Sequence, residues 1–473
     1  MLADEIAGRV LSKGLECGAD FSELFIEETR STSVQFKDRK VESARSGVDF
    51  GIGVRLIASN QVFYGHTNRT DLDSLLAVVT RIGHLIQDPG RVDPANSKES
   101  RLLASLSESP WLETNYQDLH PVRIWPGPAD RQTRLDILHA ADTAARALSA
   151  RVEQVGASVN DSITRIQIFN SEGLHVSDKR CRTRFAVQVT ASHDGQRFTA
   201  HETPGRMQGV EFLQNLDSGG LAVLAGERAL RMLDAGYITG GQMPVVMANG
   251  FGGVIFHEAC GHPLESESVR KESSPFCNRL GQQIAHPAVT AIDDGTVPHA
   301  WGSVNIDDEG MPTERTVLIE NGILKSFITD RIGASELQLP RTGNARRQSY
   351  EYAPVSRMRN TWIAPGEHTP ADLIASVDNG LYAKKMGGGS VNPATGEFNF
   401  AVEEAWLIQN GRLGAAVRGA SLVGKGSEIL HRISMVADDL ELAAGMCGAS
   451  SGAVPVCVGQ PSLRVDQILV GGR

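Results

Sequence analysis

The chain reads as an α+β protein. The expected architecture is an N-terminal α/β-type domain whose sheet is flanked by helices, then a mainly antiparallel, barrel-like or sandwich β domain carrying one short motif helix. Three observations predict this. Helix-period apolar stretches bracket runs of strand-like alternation twice before residue 240. From Gly240-Gly241 onward the texture changes to short β-prone runs broken by glycine and polar turns. A length of 473 residues with 41% hydrophobic content supports two or three domains with ample core. The expected domains are therefore 1–239, with sub-units over 1–87 and 129–239 joined by a linker over 88–128, and 240–473.

Residues 4–16 give the first expected helix, with Ile6, Val10, Leu11 and Leu15 on one face. Alternation over 21–26 and again over 32–36 predicts two strands, and a hairpin follows over 51–57 and 61–65, turning at Ser59-Asn60. A second helix over 71–86, with Asp71 near its start, closes this unit as α-β-β-β-β-α. Residues 88–128 are polar and proline-bearing, with Trp111 and Trp125 as expected anchors. The alanine- and arginine-rich stretch 129–149 reads as helix. Strands are expected over 152–159, 163–169, 174–178, 182–192 and 197–202, then a helix over 220–235. The plan of the first unit is thus repeated without residue-level identity. In the second half, 244–247 is strand-like. Further strands are expected near 288–293, 303–306, 315–319, 323–329, 359–363, 397–408 and 412–417.

The motif helix is Phe251-Gly252-Gly253-Val254-Ile255-Phe256-His257-Glu258-Ala259-Cys260-Gly261-His262, followed by Pro263. Neutral imidazoles such as His257 and His262 hold a zinc-type ion, and a carboxylate beside them, here Glu258, can take a proton from water. The spacing His-Glu-x-x-x-His (HExxxH) is one residue longer than the common zincin pattern. On a regular helix, positions five apart are rotated by roughly 140°. The pair therefore needs a π-type bulge or a helix that ends inside the motif. Gly261 loosens the backbone, and Pro263 disfavours the α conformation at His262. Cys260, three residues from His257 on nearly the same face, is a rival ligand. The plain alternative is a buried apolar helix with satisfied histidines.

Other groupings carry weaker signals. Gly419-Ala420-Ser421-Leu422-Val423-Gly424-Lys425-Gly426 nearly spells a phosphate-binding loop, but Gly426 stands where a Ser or Thr must bind magnesium. A glycine turn with a surface lysine is the plainer reading. Asp307-Asp308-Glu309 offers oxygens to a hard cation, though such a run more often means a solvated loop. Arg346-Arg347 is either a fork for a peptide carboxylate or a surface pair. Gly387-Gly388-Gly389 is either a bare edge for an added peptide strand or a flexible loop. His286, His299, His368 and His431 stand alone.

The motif and several downstream segments resemble the TldD/PmbA (TldD/TldE) family of metallopeptidases. The segments are Val304-Asn305-Ile306-Asp307-Asp308-Glu309-Gly310, Leu318-Ile319-Glu320-Asn321-Gly322, Thr342-Gly343-Asn344-Ala345-Arg346-Arg347, Gly387-Gly388-Gly389 and Val454-Pro455-Val456-Cys457-Val458-Gly459-Gln460-Pro461. They fall in family order across 245–473, and the likeness is weaker upstream of residue 240. The resemblance implies a two-domain chain that dimerises around an internal peptidase chamber and hydrolyses unfolded or extended peptides. It implies zinc held by His257, His262 and a late cysteine, with Glu258 as acid/base. Of the candidates, Cys447 stands where family members carry their metal cysteine, whereas Cys457 and Cys260 fall where the family has other residues. Substrate contacts are expected at Arg346, Gly387, Gly388 and Gly389. The PmbA/TldE branch lacks the metal motif, so this chain resembles the metal-bearing TldD branch. The implied assembly is a homodimer or a heterodimer with a PmbA/TldE-type subunit. One departure is Ala449-Ser450-Ser451-Gly452-Ala453, which replaces a more polar, Lys-containing stretch and bears on substrate contacts. The competing reading is a structural metal protein or inactive scaffold subunit that pairs with a catalytic homologue.

Composition bounds the remaining classes. A net charge of -10 argues against nucleic acid as the main partner. No stretch approaches the length of a transmembrane helix, and the acidic, amphipathic start is unlike a signal peptide. Six scattered cysteines with no Cys-x-x-Cys pair read as reduced thiols, so the expected location is the cytoplasm, with no membrane partner.

Overall fold

The computed structural model describes residues 2–86, 113–392 and 395–472. Most of the expected linker, including Trp111, lies outside the described residues. Trp125 is described, and Lys179 Nζ stands 3.2 Å from its ring centroid.

The first sheet runs Gln61–Thr67, Lys40–Ala58, Phe21–Lys37, Val152–Asn170, His175–His193, Gln196–Glu202, each strand antiparallel to the next. Its middle is the pairing of Phe21–Lys37 with Val152–Asn170, so both expected sub-units share one sheet. Helices Asp4–Glu16 and Leu72–Ile86 belong to one half, Arg131–Ala147 and Ser218–Asp234 to the other. Asp71 and Asp217 begin two of these helices by accepting the N–H of Ser74 at 2.9 Å and of Gly220 at 2.8 Å. Ser59 and Asn60 both take positive φ, as a tight hairpin turn requires.

There are fewer strands than expected. Stretches 21–26 and 32–36 are one strand of 17 residues. Likewise 152–159 fuses with 163–169, and 174–178 with 182–192. The polar links at 27–31, 160–162 and 179–181 hold no glycine or proline to turn the chain, so it runs on.

Alternation assigns the two faces of this sheet. Leu24, Ile26, Val34 and Phe36 pack with helix residues such as Leu11, Val79, Leu138 and Ala222. Glu23, Phe25 and Glu27, one residue out of phase, face the second half of the chain. Arg55, 1% exposed, donates to Glu23 at 2.6 Å and to Glu309 at 2.7 Å. Arg347 donates to Glu23 at 2.7 Å, and Arg180 to Asp308 at 2.7 Å.

These contacts overturn two expectations. Asp307, Asp308 and Glu309 are buried, not a solvated loop. Asp307 accepts N–H bonds from Glu309, Met311 and Ala345, while Asp308 and Glu309 face arginines, so the run closes the seam between the halves. Arg346 and Arg347 are not a surface pair either, since both are buried and Arg347 is engaged by Glu23.

Arg55→Met would leave Glu23 and Glu309 each with one arginine fewer in a buried setting. Removing one partner of a buried pair costs about 3–5 kcal/mol. A loss toward the low end of that range is expected in urea unfolding, because Arg347 and Arg341 remain. Lys13→Met, whose pair with Glu16 is exposed, should leave the urea midpoint nearly unchanged.

Beyond residue 235 the chain builds a barrel and a second sheet. Asn379–Val391, Gly241–Met247, Leu463–Gly471, Ser421–Lys425 and Glu397–Gln409 pair in that order, and the last closes onto the first. The second sheet runs Ile323–Leu324, Arg315–Glu320, Ala291–Asp294, Asn360–Ile363, Gly452–Gln460, Glu441–Ala449. Parallel pairs join Gly241–Met247 to Asn379–Val391 and Asn360–Ile363 to Gly452–Gln460, so this half is mixed. Residues 303–306 form no strand beyond an isolated bridge at Ile306. Gly387, Gly388 and Gly389 are not a flexible loop. They lie in an irregular part of a paired barrel strand. Ile255, Phe256 and Leu264 share one core with Leu318 of the sheet and Phe400 and Leu463 of the barrel, which fixes the motif helix between the two. Among the described residues no helix is long and apolar enough to cross a membrane.

Candidate metal centre

The motif helix changes its winding three times. It is 3-10 over Gly250–Gly253, α over Val254–Phe256, π over His257–Gly261 and 3-10 again over His262–Leu264. The His262 N–H donates to the His257 carbonyl, the five-residue repeat of a π turn. That repeat brings the two rings onto one side, with centroids 5.2 Å apart. His262 itself stays helical at φ -57°, ψ -40°, against the expectation that Pro263 would push it out of the α region. Pro263 stands in the first turn of the next helical segment, where its missing N–H is not needed.

Two glycines admit this turn by close approach. A Cβ on Gly261 would fall 2.3 Å from Met358 Sδ, and one on Gly426 would fall 2.0 Å from the Ala259 carbonyl oxygen. Gly426 opens a short helix behind the π turn, after the antiparallel strand Ser421–Lys425. A phosphate-binding loop needs a parallel strand there, so the likeness of 419–426 to one is fortuitous. Gly426→Ala should displace the Ala259 carbonyl from within the π turn. Overpacking of this kind costs about 1–3 kcal/mol. A lower denaturant midpoint, with weaker metal uptake in a titration of the same sample, is the expected result.

His257, His262 and Cys447 converge, and their candidate ligand atoms all lie within 4.8 Å of one another. Cys447 comes from the Glu441–Ala449 strand at the end of the second sheet. Its Sγ is 3.2 Å from His262 Nε2. Burial would raise the Cys447 thiol, but the imidazoles of His257 and His262 outweigh it and pull the group down to about 3. Burial would lower His262, but the Glu265 carboxylate and Cys447 outweigh it and hold the imidazole well above its usual value. Glu258 lies at the open side, with its side chain 30% exposed and Oε2 3.7 Å from His262 Nε2.

A metal ion fits these residues. Both ring nitrogens of His257 are buried and lack a hydrogen-bond partner among the described residues. An unmet buried polar atom costs about 1–3 kcal/mol, so a ligand at one of them is what the site calls for. Tetrahedral bond lengths for nitrogen and sulfur donors place neighbouring ligand atoms roughly 3.3–3.6 Å apart. The Cys447–His262 separation of 3.2 Å is close to that. Three donors with an open side match the ligand count of catalytic centres.

The rival cysteines face elsewhere. Cys260 Sγ points to the Gly426 carbonyl at 3.5 Å, and burial pushes its thiol up. Cys457 packs with Ala300 and Trp301. Gly387 and Gly389 have Glu403, Phe400 and Asn399 as neighbours, none of them in the cluster. Arg346 is closer to the motif, since it donates to the carbonyl of Met358 at 2.7 Å, and Met358 lies against Gly261.

Two further residues were missed from sequence. Glu265 Oε2 is 2.8 Å from His262 Nδ1, while Oε1 accepts the Met358 N–H at 3.1 Å. This directs Nε2 of His262 to the cluster, the usual outer-shell arrangement for a metal histidine. Its signal was present as a carboxylate three residues after His262. Arg357 donates to the Cys447 carbonyl at 2.6 Å and to Ser451 Oγ at 3.0 Å. Ser451 is fully buried, so the departure at 449–453 is a hairpin tip that braces the Cys447 strand.

The chain's relatives agree with this chemistry. Family profiles for PmbA/TldA metallopeptidases match it in three consecutive parts, domain 1 over 22–84, the central domain over 125–233 and the C-terminal domain over 240–472. The "Metalloprotease TldD homolog" of Haemophilus influenzae is 34% identical over 464 residues, covering 96% of this chain and 93% of that protein. The "Zinc metalloprotease TldD homolog" of Saccharolobus solfataricus is 26% identical over 470 residues, covering 98% and 99%. The crystal structure of TldE from Thermococcus kodakarensis matches with a TM-score of 0.75 over 99% of this chain and 100% of that one. At 18% identity this likeness concerns the fold alone. With all three domain profiles matched and 34% identity along nearly its whole length, the chain belongs to the TldD/PmbA family of metallopeptidases.

Proposed function

We propose that this chain is a zinc-dependent peptidase of the HExxxH type that hydrolyses unfolded or extended peptides. The observation that carries the reading is the convergence of His257, His262 and Cys447 beside a carboxylate, Glu258, at the open side of the cluster. His257, His262 and Cys447 would hold the ion. Two imidazoles and a thiolate suit zinc among divalent ions, and the name of the Saccharolobus solfataricus relative agrees. When bound, zinc supplies a Lewis acid that acidifies water and polarises a peptide carbonyl.

The other steps belong to side chains of this protein. The Glu258 carboxylate takes the proton from the attacking water and returns it to the leaving amine nitrogen. Glu265 holds His262 in the orientation that presents Nε2. The strand carrying Cys447 ends its sheet, and no strand pairs with its outer edge among the described residues. An extended peptide adding to that edge would pass the cluster by main-chain hydrogen bonds, which favours broad sequence tolerance. The edge of Asn379–Val391 at Gly387–Gly389 is a second place for such pairing.

The reading includes a division into 1–239 and 240–473, with the whole cluster in the second part. It includes a dimer that encloses a chamber, formed with a second copy or with a PmbA/TldE-type subunit. All six cysteines are free, in keeping with a cytoplasmic setting.

The test is cleavage of a generic unfolded peptide, with and without chelator, on a sample whose mass and zinc content are measured together. Chelator-sensitive cleavage by a dimer supports the proposal. Metal retained without cleavage, by the chain or its dimer, would establish the scaffold reading instead.

A further inference from the structure

Charge is distributed unevenly around the metal centre. The chain carries a net charge of -10, yet Arg182, Arg184, Arg346 and Arg357 make no ion pair with a carboxylate among the described residues. Their bonds go to neutral oxygens. Arg182 donates to the carbonyls of Trp301 at 3.1 Å and Ser303 at 3.0 Å. Arg184 donates to Thr203 Oγ1 at 3.2 Å, Arg346 to the Met358 carbonyl at 2.7 Å, and Arg357 to Ser451 and Cys447. Arg180, on the same strand, is by contrast matched by Asp178 and Asp308.

Arg346 is 4% exposed, so its charge is nearly stripped of water. Burial, followed by repulsion from Arg182, pushes its guanidinium down to about 9. Burial, followed by repulsion from Arg180, pushes Arg182 down to about 10. At both groups burial and the neighbouring arginine outweigh the nearby Asp308 carboxylate, and an arriving anion relieves that cost.

A cavity gives an anion its way in. It has a volume of roughly 460 Å³ and is lined by Arg182 and Arg45, by Ser31, Ser33 and Ser162 on the same sheet face, and by Trp301. Asp161 also lines it, but its carboxylate is taken by Arg134 at 2.9 Å. Its Trp301 wall is tied to the strand that carries Cys447: Trp301 Nε1 donates to the Gly445 carbonyl at 2.9 Å, two residues before Cys447.

We propose that this cavity is a subsite for a carboxylate of the peptide substrate, with Arg182 making the contact. The inference rests on the peptidase reading for the identity of the ligand as a peptide. Arginine suits the task because its planar fork matches a carboxylate. The carboxylate is either the peptide's C-terminus or an acidic side chain.

The experiment measures binding of labelled hexapeptides to the full-length Glu258→Gln protein, which is not expected to cleave them. One peptide is neutral with a C-terminal amide, one has the same sequence with a free C-terminus, and one is the amide with a glutamate placed within it. A carboxylate-bearing peptide should bind at least about tenfold tighter than the neutral amide, as one charge-assisted pair supplies. The arm that gains identifies the source. Adding Arg182→Met should bring the ratio to within about twofold, with Arg182→Gln as a second variant that keeps a donor.

Equal affinity for all three peptides, or a preference that survives Arg182→Met, would overturn the subsite. Cleavage of the same peptides by the unaltered chain separates the two ideas. Cleavage without carboxylate preference removes the subsite and keeps the peptidase. Carboxylate preference without cleavage keeps the subsite and removes the peptidase. Failure to bind any of the peptides overturns the subsite outright.

Discussion

Cys447→Ala should purify with little zinc and show no chelator-sensitive cleavage. Even outer-shell changes around a metal cost about 10–100-fold in affinity, and the loss of a direct ligand should exceed that. The thiol is 2% exposed, lies 3.2 Å from His262 Nε2 and is held as a thiolate by two imidazoles. Alanine leaves the two histidines without their anionic partner, and a neutral pair is a weak zinc site. Cys260→Ala and Cys457→Ala are the controls, since both thiols face away from the cluster and should forfeit only packing. Metal analysis of the three proteins decides the matter. Full zinc occupancy in Cys447→Ala, or its loss in Cys260→Ala alone, would overturn the ligand assignment.

Glu258→Gln should keep its zinc and lose about 10²–10⁴-fold in turnover, the usual worth of a positioned acid/base. Glutamine preserves the shape and removes the proton acceptor. The side chain is partly exposed and, among the described residues, bears no ion pair shorter than its 3.7 Å approach to His262, so stability should be little changed. A thermal melt matching that of the unaltered protein, beside lost cleavage, would tie the effect to proton transfer. Turnover within about threefold of the original would dismiss the role, because general acid–base catalysis is worth far more.

The motif was legible because two imidazoles and a carboxylate in six residues have few structural uses. Helix geometry alone called for either a π-type bulge or a helix ending inside the motif, and His257–Gly261 takes the first form. Cys447 was reached through resemblance, since a ligand 185 positions from its partner leaves no spacing to read. Glu265 was within reach of a local rule and was overlooked.

Burial was harder to read than chemistry. Asp307, Asp308 and Glu309 look solvated because their partners Arg180, Arg55 and Arg341 are scattered along the chain. Polar residues between 27 and 31 looked like a break in a strand that in fact continues, because alternation fades where one face carries charge to meet another part of the chain. The Glu441–Ala449 strand escaped notice because small residues such as Ala443, Ala444 and Gly445 give no period-two signal.

The π turn sets a condition on inheritance. It holds one more residue than the α turn it interrupts, and that residue puts His262 beside His257. No exchange of one amino acid for another can alter a count of residues, so the spacing changes only by insertion or deletion. Removing one position would slide Gly261 away from Met358 and carry the Ala259 carbonyl off the backbone of Gly426, where side chains already have no room. A descendant that shortens the motif must therefore rebuild two neighbouring segments in the same step. Drift by substitution can silence this centre one ligand at a time, but it cannot turn it by degrees into the shorter and commoner design.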